Sequence, residues 1–423
     1  MLNFLRENLR WLAAGFLLTF ASAAGQTWFI SLSATEIKRE YHLSDGGWGL
    51  LYTLATLASA AMIFWQGSVV DRFSPRLVTL ATALGFATAA AGMAAAGSVW
   101  LLGLSVFLLR LCGQGMLGHI AMTAIGRWFV ARRGTAVAIA GLGYPASEIL
   151  LAAPAVVAIN ALGWRWLWAV TAGLLLGIGP LIGWLLVGSR TPQGSADMHQ
   201  QPGLEGRQWQ RHEAVRHWLL PALLPTLLTP GFMGTVLFSH QTDIAAVKGW
   251  SMVAMAPGFT CFATAGVIAS FMTGWAVDRF GGQRLLPLLL LPVGGGMAVI
   301  SSASRISGWY FALAMVGITM GMASGLWGAF LPTLYGTRHL GAIRGLSTTI
   351  MVFSTALGPG LTGLLIDRGI EFPTQCRGLA AWCFTVSAGS ILIQRRLTRE
   401  LARPIRAAHE SPSPLRPPPP RHR

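Results

Sequence analysis

At 423 residues, with 53% hydrophobic and only 11% charged residues and a mean hydropathy of +0.56, the chain is too apolar and charge-poor for a water-soluble globule. Its net charge of +16 comes from 29 Arg and 2 Lys spread through short connections and one tail. That spread excludes the single basic patch that nucleic-acid binding needs and matches the cationic loops that orient membrane spans.

Apolar runs long enough to cross a bilayer, about 20 residues each, fall at 9–32, 46–70, 76–96, 99–126, 134–159, 165–187, 218–240, 250–277, 285–303, 307–333, 345–366 and 377–394. The expected fold is an all-α membrane protein of twelve transmembrane helices in two pseudo-symmetric six-helix bundles, 1–187 and 218–396. Between them lies a hydrophilic cytoplasmic linker, 188–217, and after them a Pro- and Arg-rich tail, 397–423, expected to be disordered. The basic start, Met1 to Arg10, is not followed by a cleavage site and a soluble domain, so 9–32 is read as a retained first span. With the N-terminus inside, cytoplasmic segments hold 23 Lys and Arg against 7 outside, which predicts that both termini face the cytoplasm of a bacterial inner membrane. The 30 linker residues cannot bury a core and leave no place for an enzyme domain. Cys112, Cys261, Cys376 and Cys383 are expected as free thiols, and no metal-ligand spacing is present.

A charged turn follows span two, Gly67-Ser68-Val69-Val70-Asp71-Arg72-Phe73-Ser74-Pro75-Arg76, and returns 207 positions later after span eight as Gly274-Trp275-Ala276-Val277-Asp278-Arg279-Phe280, closed by Arg284. Gly134 plus 207 falls on Gly341, each at the entry of the fifth span of its half. Such pairing marks an internal duplication. Gly67 and Gly274 allow close helix approach, and Asp71, Arg72, Arg76, Asp278, Arg279 and Arg284 are expected to latch the two halves at the cytoplasmic face.

Two charged residues lie near mid-membrane, Arg110 in span four and Glu148 in span five. Each needs a partner or a watery cavity. Their similar depth on consecutive spans allows an ion pair, either a permanent helix lock or a proton switch that frees Arg110 for an anionic substrate. Gln114 and Gly118 share the Arg110 face, and Tyr144 shares that of Glu148. Gln26 continues a polar line through Thr19 and Ser22 in span one, lining a cavity or bonding between helices. His240 and Asp243 at the end of span seven form a candidate proton site or an ordinary loop pair. Trp327 in span ten would stack on a ligand or fill space between helices.

The paired Gly-x-x-x-Asp-Arg turns, the Arg110-Leu111-Cys112-Gly113-Gln114-Gly115 run and the Gly/Pro-rich fifth spans (Gly141 to Pro145 and Gly358-Pro359-Gly360) resemble the major facilitator superfamily over residues 9–396. Phe238 to Gln241, Lys248 to Ser251 and Tyr335 to Gly341 are similar to segments of bacterial monocarboxylate and oxalate/formate-type carriers. The resemblance implies secondary transport by alternating access, with a cavity lined by spans one, four, seven and ten. It also implies that the Asp-Arg turns latch the outward-open state. The chain departs from those carriers in having no Lys or Arg within 251–277 or 345–366. No ATP-binding motif and no hydrolytic constellation occurs, so the expectation is a gradient-driven carrier, not an enzyme, with no cofactor or metal. It would act as a monomer on a small molecule, an organic anion moved by proton symport or antiport exchange, or alternatively a hydrophobic or cationic compound expelled on Glu148.

Overall fold

Inside a bilayer each peptide N–H and C=O must find its partner within the chain, and an apolar run of about 20 residues does so by coiling into a helix. The computed structural model describes residues 2–66, 73–129, 133–186, 203–336 and 339–410, and these contain no strand. Eleven helices are long and apolar enough to span a membrane, and one bent pair makes twelve. Span one is Arg6–Gly25 continued by Thr27–Glu40. The rest, in order, are Asp45–Ile63, Pro75–Ala95, Val99–Ile125, Ala136–Leu162, Trp164–Leu185, Leu219–Ser239, Met252–Val277, Gly282–Ser302, Ile306–Tyr335, Ile350–Asp367 and Phe372–Leu401. The turn residues Gly67, Asp71 and Arg72, linker residues 188–202 and the tail from 411 lie outside the described residues, as does the side chain of Asp278.

Three stretches differ from the sequence expectation. Span one stays helical to Glu40 but bends by 41° in its middle. The last helix, Phe372–Glu410, runs on past 397. Residues 203–217 are docked: the Trp209 N–H donates to the Tyr335 carbonyl at 3.0 Å, and Leu204, Trp209 and Ala214 are buried.

The bend has a local cause. Ser22–Gly25 tightens into a 3₁₀ turn, Gln26 is extended (φ −82°, ψ 150°), and the helix restarts at Thr27. At Gly25 a Cβ would overlap the Leu109 carbonyl oxygen and lie 2.7 Å from Gly113 Cα, so the backbones of spans one and four touch there. Span four answers with its own irregularity, a π-helical stretch Arg110–Leu117 between Val99–Leu109 and Gly118–Trp128. In it Gly113 packs on Phe86 and Gly115 on Ile63. Wide turns of this kind free backbone groups and are frequent at functional sites.

Glycine stripes set the other close crossings. Gly317, Gly321 and Gly325 recur every fourth residue on span ten and meet the backbone of span eight at Phe262, Gly266 and Ser270. Spans two and eleven join the two halves by the same means, Gly46 and Gly49 against Asp367 and Pro359, and Gly360 and Gly363 against Thr53 and Asp45.

The connections after odd-numbered spans share one face, here called the odd-loop face. There Arg165 donates to Glu40 at 2.5 Å and to the carbonyls of Ala94 and Ala96 at 2.7 Å, and Trp309 Nε1 donates to Met255 O at 2.9 Å. The hydrogen bonds that Lys38, Ser44, Gly46, Thr53 and Gln241 make between the two halves all lie in the half of the molecule nearest this face.

Adding one methyl tests the span eight–ten crossing. In Gly321→Ala the new Cβ overlaps the Gly266 carbonyl oxygen, so overpacking of about 1–3 kcal/mol is expected. Gly173→Ala meets nothing within 4 Å and should be neutral. Thermal melts of the purified variants in detergent check the difference.

Candidate functional site

The break in span one and the wide turn of span four meet at Arg110. Its side chain is only 1% exposed, and burying a guanidinium costs at least about 2.5–3.5 kcal/mol at mid-membrane unless it is partnered. Nη1 donates to the Gly25 carbonyl at 3.1 Å and to Thr27 Oγ1 at 3.3 Å. The Gly25 carbonyl is open to Arg110 because the helix breaks at the next residue. Thr27 Oγ1 in turn bonds the Tyr52 hydroxyl at 2.7 Å, and the guanidinium carbon lies 5.2 Å from the Tyr52 ring centroid. Nε and Nη2 are buried and have no hydrogen-bond partner. These are adjacent parallel donors along one edge of the guanidinium plane, the edge that matches a carboxylate two-for-two.

A second cluster sits on the odd-loop face between the halves. Lys38 Nζ, at the end of span one, bonds Asp45 and, at 2.6 Å, Asp243 Oδ1 on the helix after span seven. Asp243 Oδ2 bonds His240 Nδ1 at 2.8 Å, and His240 Nε2 reaches Thr362 Oγ1 at 2.7 Å in span eleven while its ring stacks on Phe372 at 4.9 Å. Asp367 accepts from Ser44 Oγ at 2.8 Å and from the Gly46 N–H at 2.9 Å, capping the start of span two across the interface. Gln241 Nε2 donates to Trp28 O at 3.0 Å and Thr53 Oγ1 to Ala356 O at 2.6 Å. Burial alone would raise the Asp243 pKa, but the His240 hydrogen bond and the Lys38 charge outweigh it and hold the carboxyl below the usual range. One ligand atom each of Asp45, His240 and Asp243 lie within 4.8 Å of one another, and the Lys38 ammonium supplies the cation among them.

The structure brings some sequence-expected residues together and separates others. Gln114 lies in the π stretch beside Gly25, and Gln26 forms the break, its Nε2 3.4 Å from Ser22 Oγ. The Tyr144 hydroxyl packs against Gly118 on span four, joining the Glu148 face to the Arg110 face. No ion pair forms between Arg110 and Glu148 among the described residues, since the Arg110 end that is engaged turns to span one. His240 stands in the odd-loop cluster and not with Arg110. Trp327 is half-buried in span ten. Of the turn residues, Arg76, Arg279 and Arg284 are exposed, Gly274 has open space at its Cβ position, and Arg279 lies over Trp275 at 5.6 Å. Sequence reasoning missed Gly25, Thr27 and Tyr52 around Arg110, and Lys38, Asp45, Thr362 and Asp367 around His240. Only the rarity of lysine, Lys38 being one of two, marked any of them.

Residues 15–359 match the sequence profile of the Major Facilitator Superfamily. The chain belongs to that superfamily. It is a multi-pass membrane transporter, not an enzyme. It is 27% identical over 289 residues to mouse (Mus musculus) monocarboxylate transporter 11, covering 64% of this chain and 61% of that one. Against a probable sulfoacetate transporter, SauU, of Cupriavidus necator it is 31% identical over 175 residues, 41% of this chain and 39% of the other. The matched stretches thus span about three-fifths and two-fifths of these relatives. Among solved structures, a bacterial homologue of the human lysosomal transporter Spinster aligns in its inward-facing unoccupied form with TM-score 0.65 at 16% identity, over 95% of this chain and 98% of that one. Its inward-facing occupied form aligns with TM-score 0.62 at 15% identity, over 96% and 99%. At that identity the likeness establishes the fold alone.

Removing Lys38 would leave two carboxylates facing each other within 4.8 Å, a repulsion of about 3 kcal/mol at an effective dielectric of about 20. Asp243→Asn removes one charge and keeps the Lys38–Asp45 pair, so it should loosen the face less. Spin labels at the exposed positions Arg39 and Thr374 should report a long-distance population rising from parent to Asp243→Asn to Lys38→Ala. The Asp243 contribution is present above the ordinary carboxylate pKa and lost as pH falls through its depressed value. The parent should therefore open with acid, and Asp243→Asn should lack that step.

Proposed function

We propose that the protein is a secondary active transporter of small organic anions bearing a carboxylate or similar planar oxyanion. The observation that carries this reading is the unpartnered Nε–Nη2 edge of Arg110, a buried fixed cation with two parallel donors directed at no protein acceptor. An anion placed there would complete the guanidinium's hydrogen bonds and neutralise its charge. A neutral or cationic substrate would leave that cost standing. Two relatives, a monocarboxylate transporter and a probable sulfoacetate transporter, support the same class.

In this reading Gln26 and Gln114 border the bound anion, Tyr144 and Trp327 line the same cavity, and Glu148 carries the coupling proton or, in exchange, stays protonated while a counter-substrate returns. The odd-loop face is the outer face of a bacterial inner membrane, both termini are cytoplasmic, and the functional unit is a monomer of two six-span halves with the domain limits expected from the sequence. The closed odd-loop face then corresponds to an inward-facing state. His240, with Lys38, Asp45 and Asp243, serves as the outer latch, and the Gly67–Arg76 and Gly274–Arg284 turns serve as the inner latch once the outer one opens.

One observation favours a second reading: Glu148 forms no ion pair among the described residues, which leaves an acidic group for a cationic substrate expelled in exchange for protons. Proteoliposomes separate the two. Labelled mono- and dicarboxylates should be taken up under an inward proton gradient, and Arg110→Gln should abolish uptake. Arg110→Lys keeps the charge but loses the fork. With charge-assisted hydrogen bonds worth about 1.5–3 kcal/mol each, it should raise KM about tenfold to a hundredfold. Glu148→Gln should lose pH-driven uptake while retaining exchange. Absence of carboxylate uptake by folded parent protein, with efflux of a cationic dye that Glu148→Gln abolishes, would establish the second reading.

A further inference from the structure

We propose that the face opposite the odd-loop face, formed by the connections after even-numbered spans, carries a binding site for the headgroup of an anionic phospholipid, built from the end of the linker and the connection between spans ten and eleven. A recess of about 520 Å³ is lined by Gln210, Arg211, His212, Val215 and Arg216 on one side and by His339 on the other. Two guanidinium groups and two imidazoles on its walls come from stretches far apart in the chain. The nearby carboxylate is already engaged: Glu213 accepts from Arg207 Nη2 at 3.0 Å and from the Gln210 N–H at 2.7 Å, closing a capping box on the short helix Arg211–Arg216. Arginine and phosphate oxygens make strong charge-assisted hydrogen bonds, and both arginines line the one recess.

Three observations place the recess at headgroup level and keep it in shape. The helix Arg211–Arg216 runs almost directly into span seven at Leu219, and Trp218 at that junction is of a type that settles at the membrane–water boundary. Trp209 packs tilted against His217 at 4.7 Å and edge-on against Tyr335 at 6.3 Å, and the Arg396 guanidinium lies 3.7 Å from the Trp218 ring centroid. The linker is pinned to the end of span ten, since a Cβ at Gly203 would come within 2.5 Å of Leu334 O and Gly336 N. In the orientation proposed above, on which this step rests, the face is cytoplasmic, where basic pockets at headgroup depth select anionic lipids. The boundary position and the apolar Val215 wall favour a lipid over free phosphate. The inference concerns equilibrium binding and does not depend on which substrate the carrier moves.

The full-length protein in detergent, examined by native mass spectrometry with phosphatidylglycerol, phosphatidylcholine or inorganic phosphate, tests it. Phosphatidylglycerol should be retained in preference to phosphatidylcholine, and inorganic phosphate should displace it only at far higher concentration. Arg211→Gln with Arg216→Gln should weaken retention about thirtyfold, the loss of two basic residues' attraction to an anionic surface. His339→Gln, which leaves the linker helix intact, should weaken it less, and the exposed odd-loop residue Arg377→Gln should leave it unchanged. Equal retention of both lipids, undiminished binding in the double variant and in His339→Gln, or displacement by phosphate at equal concentration would overturn the proposal.

Discussion

The structure turns on the desolvation of one guanidinium. Arg110 cannot sit in the middle of a membrane protein without acceptors, and a regular helix offers none, because its carbonyls are already spent on its own N–H groups. The chain resolves this by breaking span one beside it. The break leaves the Gly25 carbonyl open and places Thr27 Oγ1 within reach, and the wide turn of span four brings Arg110 up to both. Gly25 and Gly113 are what let the two irregular backbones touch. Only one end of the guanidinium is satisfied in this way, and the unsatisfied edge is the feature on which the proposed anion site rests.

The interface between halves follows a different rule at each level. Along spans two and eleven, glycines set the approach: Gly49 and Gly363 meet the backbone of Pro359 and Asp45, and Gly46 and Gly360 meet the side chains of Asp367 and Thr53, contacts that are tight but weakly directional. At the odd-loop face, charge takes over, with Lys38 holding Asp45 and Asp243 together and His240 tying that carboxylate to span eleven. Charged contacts suit a surface that must part, because water can take them up again once the halves separate. Packed glycine crossings within a half, such as spans eight and ten, have no such replacement.

What was legible in the sequence was local. Spans follow from apolar length, so Pro75–Ala95 and Trp164–Leu185 lie close to where the runs 76–96 and 165–187 placed them. The duplicated turns after spans two and eight and the Arg110 run identified the superfamily that the profile match over residues 15–359 establishes. His240 and Asp243, three residues apart on adjoining helical turns, were legible as a pair for the same reason. The break at Gly25–Gln26 was not, because glycine, glutamine and threonine are all tolerated inside membrane helices and the groups that meet the break, Arg110 and Gly113, come from another span. Lys38 and Asp243 are separated by 205 residues, and nothing short of the fold brings them together. The depth argument for Arg110 and Glu148 gave height along the membrane normal but no direction around the helix axis, and direction decides which groups bond.

In the proposed function, the free edge of Arg110 receives the substrate's anionic group. Nitrogen-15 labelling of arginine, with the Arg110 Nε–H resonance assigned by its loss in Arg110→Lys, reads that edge directly. Addition of a carboxylate that proteoliposomes take up should move the Arg110 Nε–H proton downfield and slow its exchange with water, with other arginines unaffected. An unchanged Arg110 resonance at saturating transported carboxylate would contradict the account and place substrate recognition elsewhere.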